Sequence, residues 1–123
     1  MYFEIDFESD EAIYRQLCRQ IIMGIATNTL HAGDSLPSVR DMAEEIGINM
    51  HTVNKAYSIL KEEGFLAIDR RRGAVVYVDD EKMHALEDLE KELRITLARA
   101  SVRGVTREEV HRLIDEICGE YET

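Results

Sequence analysis

Apolar residues recur at steps of three and four along most of this chain, the spacing that gives a helix one buried face. Tyr14, Leu17, Cys18, Ile21 and Ile25 predict a first helix from about Ala12 to Thr29, with Asp10 as its N-cap. His31 to Asp34 read as the turn that ends it. Val39, Met42, Ala43 and Ile46 give the inner stripe of a second helix. It starts near Ser38, where Asp41 completes a Ser-x-x-Asp capping arrangement. Gly47 closes that helix in a left-handed conformation, and Asn49 caps a third, with Ile48 placed to staple against Val53. Val53, Ala56, Tyr57 and Leu60 face inward, and Gly64 stops the run. Leu66–Asp69 and Val75–Val78 read as two short strands around an Arg-Arg-Arg-Gly-Ala turn. After Asp79 and Asp80, a long helix fits Glu81 to about Val102. Gly104 ends it, and Thr106 with Glu109 boxes the start of a last helix that Val105 and Val110 staple. The expected fold class is mostly α with a small β-hairpin.

Length and composition fit that picture. The 123 residues suffice for one compact domain and a small appendage, and 45% hydrophobic content supports a packed core. No apolar run nears the roughly 18 residues of a membrane span. The acidic start, Met1 to Glu11, lacks the basic and apolar regions of a signal peptide, so a cytoplasmic protein is expected. Cys18 and Cys118 lie on apolar stripes and are expected to be buried, reduced thiols. The net charge of −10 opposes binding to a polyanion, but it is unevenly spread. Residues 36–80 carry six basic and eight acidic side chains, against two and six before them and seven and eleven after. Local field, not total charge, governs phosphate contacts.

The order from Leu36 to Tyr77 is short helix, glycine turn, helix, basic hairpin, which is that of a winged helix-turn-helix. In such a unit the leading end of the second of these helices meets the major groove. Asn49, His51 and Thr52 stand at that end, Lys55 follows one turn after His51, and Asn54 belongs to the same DNA-binding set. Asn can pair with adenine, and Thr can bond a phosphate or touch a thymine methyl. Ser38 and Arg40 begin the preceding helix, placed for the flanking backbone. Arg70, Arg71 and Arg72 in the wing suit phosphates or a narrow minor groove.

The run LPSVRDMAEEIGINMHTVNKAYSILKEEGFL resembles the N-terminal domain of GntR-type bacterial transcription regulators. The short C-terminal extension resembles that of the YtrA subfamily. Ala12-Ile13-Tyr14-Arg15-Gln16-Leu17 is similar to the family's Pro-Ile-Tyr-x-Gln-Ile opening, with Ala12 in place of proline. The resemblance implies a homodimer on a palindromic operator in double-stranded DNA, usually as a repressor of its own, often transporter-linked, operon. It places the DNA contacts on Ser38, Arg40, Asn49, His51, Thr52, Lys55 and the wing. The wing departs from the family's Arg-Arg-Gly-x-Gly-Thr by one glycine, which leaves its turn shape open.

Residues 1–79 are therefore expected to form the DNA-binding domain and residues 80–123 a dimerisation tail. Two amphipathic helices of this size cannot bury both stripes against each other. Met83, Leu86, Leu89, Leu93 and Leu97 form one seam and Val110, Leu113, Ile114, Ile117 and Tyr121 the other. A second copy would cover them; the alternative is packing on the body of the same chain. An unknown small-molecule effector is compatible with the tail, but no motif names a ligand, a cofactor or a metal site. His31, His51, His84 and His111 lack the further ligands that a zinc site needs. No nucleophile, base and orienting group can be assembled, so no enzyme is expected. A winged-helix protein-interaction adaptor without operator binding is the competing function.

Overall fold

The N-terminal segment reaches its first helix along two glutamine side chains. Gln16 Oε1 accepts the Asp6 N–H at 2.9 Å, and its Nε2 donates to the carbonyls of Asp6 and Glu11 at 3.0 and 2.9 Å. Gln20 repeats the exchange with the backbone of Glu4. Gln16 is thereby buried with every polar atom used, as a buried amide must be. In this computed structural model, which describes residues 2–122, the chain divides into two units, Met1–Asp79 and Asp80–Thr123. It is mostly helical with one two-stranded hairpin, the expected fold class.

The first unit holds α1 (Ile13–Ala26), α2 (Val39–Ile46), α3 (Met50–Glu62), β1 (Leu66–Asp69) and β2 (Gly73–Val76). Asp10 is not the cap of α1: Ala12 occupies that position without a side-chain hydrogen bond. The helix also ends three residues before Thr29. Asn28 turns left-handed at φ 63°, and the N–H groups of Thr29 and Leu30 both return to the Gly24 carbonyl. Asn tolerates that conformation better than most side chains. α2 starts as expected, with Ser38 Oγ accepting the Asp41 N–H at 3.1 Å, and Gly47 closes it at φ 71°.

α3 packs against α1, α2 and β1 and centres the core. Leu17 and Ile21 of α1, Met42 of α2, and Val53, Ala56 and Leu60 of α3 are completely buried, and Leu66 and Val76 nearly so. β1 and β2 pair antiparallel, Leu66 opposite Val76 and Asp69 opposite Gly73. β2 thus runs from Gly73 to Val76, two residues earlier than Val75–Val78. Only Arg70–Arg72 are left to turn, because Gly73 takes φ 74° and closes the ladder at once. The outer edge of β2 is also paired. Gly33 donates to Val76, Val76 to Asp34 and Leu36 to Ala74, each at 2.8 Å. The loop before α2 and the wing are therefore one hydrogen-bonded body.

The second unit holds α4 (Lys82–Val102) and α5 (Arg107–Tyr121), joined through Gly104 at φ 88°. Thr106 and Glu109 form the expected capping box: each side chain accepts the other's N–H, at 3.2 and 2.9 Å. No residue of either helix is buried. Cys118 is accordingly exposed, contrary to expectation, because its stripe has no cover within the described chain. Cys18 is half-buried, and desolvation pushes its thiol up to about 11.

Candidate nucleic-acid interface

Local sequence sets the leading end of α3. Gly47 permits a turn of only three residues between α2 and α3, and Asn49 Oδ1 accepts the His51 N–H at 2.7 Å. That bond starts the helix and occupies one lone pair of Oδ1, leaving Asn49 its Nδ2 donors and a second Oδ1 lone pair to offer outward. His51, Asn54 and Lys55 are exposed, and Thr52 is half-buried. Ser38 and Arg40 are exposed at the start of α2. Ser38 Oγ is the helix cap but keeps its hydroxyl proton to donate.

The wing turn is built on Asp69. Its Oδ1 accepts the N–H of Arg71 at 2.7 Å and of Arg72 at 3.0 Å, and these backbone bonds hold the carboxyl below the usual carboxylate range. The missing family glycine is thus absorbed by an Asx turn followed by left-handed Gly73. The three arginines diverge in role. Arg72 Nη2 donates to the Gly33 carbonyl at 3.0 Å, so its side chain braces the wing against the loop before α2. Arg70 and Arg71 are exposed. Among the described residues the ion pairs are Arg19–Glu11, His31–Asp34 and Arg94–Glu90. Arg40, Lys55, Arg70 and Arg71 are in none of them, so their charges are open to an external anion.

One matching protein-family model is described as bacterial regulatory proteins, gntR family, and covers residues 13–76. The chain belongs to the GntR family. The HTH-type transcriptional repressor YtrA of Bacillus subtilis (strain 168) is 32% identical over 122 residues, 95% of this chain and 92% of YtrA. YtrA from Sulfolobus acidocaldarius, a GntR-family transcription factor, superposes with a TM-score of 0.67 at 41% identity, over 80% of this chain and 95% of that one. A transcriptional antiterminator from Listeria monocytogenes EGD-e gives a TM-score of 0.85 at 28% identity, over 95% and 90% of the two chains. This GntR-family chain is thus of the YtrA type, a transcription regulator with a DNA-binding domain, not an enzyme.

Two features escaped the periodic pattern. Tyr14 packs against the core as its place on the stripe of α1 predicts, but its half-buried ring also carries the Lys55 ammonium 4.0 Å from its centroid, which the spacing does not reveal. The strand-like pairing of residues 33–36 with β2 leaves no local signature. Among the described residues no group of three or more His, Cys, Asp or Glu is arranged to hold a metal ion. No described helix is long and apolar enough to cross a membrane.

Proposed function

We propose that this regulator is a cytoplasmic homodimeric repressor that binds a two-fold symmetric operator. Residues 1–79 read the DNA and residues 80–123 join the two copies. The observation that carries DNA reading is the set of exposed cations outside any ion pair among the described residues, Arg40, Lys55, Arg70 and Arg71, on the helix-turn-helix and its wing. Ser38, His51, Thr52 and Asn54 supply donors among them, and Asn49 adds its amide nitrogen. Arg72 contributes by bracing the wing.

The homodimer is supported by the tail. Met83, Leu86, Leu89 and Leu97 on α4 are exposed, with Leu93 half-exposed. Leu113, Ile114 and Ile117 on α5 are exposed, with Val110 and Tyr121 half-exposed. Apolar stripes of this extent are characteristic of surfaces that pair. A two-fold protein then matches two half-sites about one helical turn apart. Repression is the role named for YtrA of Bacillus subtilis. Replacing Arg40 and Lys55 by alanine is expected to abolish retention of the operator duplex in a mobility shift while the helical circular-dichroism spectrum stays unchanged. Undiminished retention would sink the proposal and favour the adaptor function.

A further inference from the structure

The first turn of α1 carries a cluster that the DNA-reading set above leaves out. Lys55 Nζ stands over the Tyr14 ring, 4.0 Å from its centroid. Arg15 Nε donates to the Tyr14 hydroxyl at 3.2 Å, and its guanidinium carbon lies 5.7 Å from the same centroid. Two cations therefore share one ring. Neither belongs to an ion pair among the described residues, and the nearby carboxylate of Glu11 is engaged by Arg19 at 2.6 Å. The hydrogen bond from Arg15, followed by its charge, lowers the pKa of the Tyr14 phenol, the mark of a positive local field. The Glu11 charge still acts on Arg15, so the two cations are only partly compensated, and a bound phosphate would complete that compensation. The ring face offsets part of their mutual repulsion and limits where the flexible lysine stem can go. Lys55 lies on the exposed face of α3 one turn after His51, so the cluster adjoins the surface assigned to DNA.

Resting on that assignment, we propose that Tyr14 is a positioning residue that aims Lys55 and that Arg15 is a further phosphate-binding residue. The first turn of α1 then joins α3 in gripping the duplex backbone. Because Tyr14 takes the Nε of Arg15, both Nη groups are left to donate to a phosphate. Contacts of this kind add affinity without reading sequence.

The test is the affinity of the full chain for its selected duplex as a function of salt. Arg15→Gln is expected to remove one phosphate contact. The loss of affinity between about 50 and 200 mM salt should then shrink about 3.5-fold, on the selected and on an unrelated duplex alike. Tyr14→Leu should weaken binding about two- to fivefold, while Tyr14→Phe keeps the ring and binds like the wild type. The penalty of Lys55→Met should be smaller in the Tyr14→Leu background than in the wild type. An unchanged salt slope in Arg15→Gln, together with equal Lys55→Met penalties in both backgrounds, would overturn the inference. If Arg40→Ala still loses binding in that case, DNA reading itself stands. A wild-type chain that selects no duplex overturns both. Should Tyr14→Leu fail to fold, the exposed Arg15→Gln and the ring-keeping Tyr14→Phe still decide.

Discussion

Tyr57 links the hydrophobic core to the interface through one hydroxyl. Its ring is 4% exposed in the middle of α3, and its Oη donates to the Pro37 carbonyl at 2.7 Å. Pro37 directly precedes Ser38, the cap of α2, so the bond fixes where that helix and Arg40 begin relative to α3. Desolvation raises the phenol pKa, which keeps the hydroxyl a donor at any pH where the protein works. Tyr57→Phe removes the donor and strands a carbonyl. The expected cost is about 1 kcal/mol in denaturant unfolding, with no change in the slope against denaturant. Unchanged stability would show that water replaces the hydroxyl without loss.

At the scale of elements, the wing is a turn held by a carboxylate. The Asp69 pKa lies below its ordinary value because the ionised form accepts two backbone N–H groups. The stabilisation is therefore present above the ordinary aspartate range and is lost as pH falls through the lower folded value. The amide resonances of Arg71 and Arg72 are expected to hold steady down to about pH 4 and to move together below it. Movement centred above that pH would mean that Asp69 does not hold the turn. The parts of the fold legible in the sequence were those fixed within a few residues: Ser38 against Asp41, Gly47, Asn49 before α3, and Thr106 with Glu109. Each is a backbone need met by a near neighbour. What was not legible depends on distant partners. Gln16 and Gln20 occupy the N-terminal backbone, residues 33–36 edge β2, and Tyr14 receives Lys55 from another helix. Among the DNA candidates, the exposed positions of Arg40, His51, Asn54 and Lys55 followed from helical spacing. The engaged Oδ1 of Asn49 and the bracing role of Arg72 did not, since a motif does not record hydrogen bonds.

At the scale of the molecule, charge and exposed apolar surface make separate demands. A net charge of −10 repels DNA from most of the surface, so binding rests on a few local cations and falls steeply with salt. In the proposed dimer, the exposed stripes of α4 and α5 are covered by a second copy. Leu86→Glu with Leu113→Glu is expected to convert a dimer to a monomer in sedimentation equilibrium and to weaken operator binding sharply, because each monomer then holds a single half-site. A variant that still sediments as a dimer would place the interface elsewhere. Both demands meet in the nature of the DNA site. Selection of duplexes from a random library by the purified full chain, at two salt concentrations, tests it most directly. The expected result is one two-fold symmetric motif, enriched at both salts, with half-sites about one helical turn apart. Salt-sensitive retention of duplexes with no common motif, or no retention at all, would contradict an operator-binding dimer.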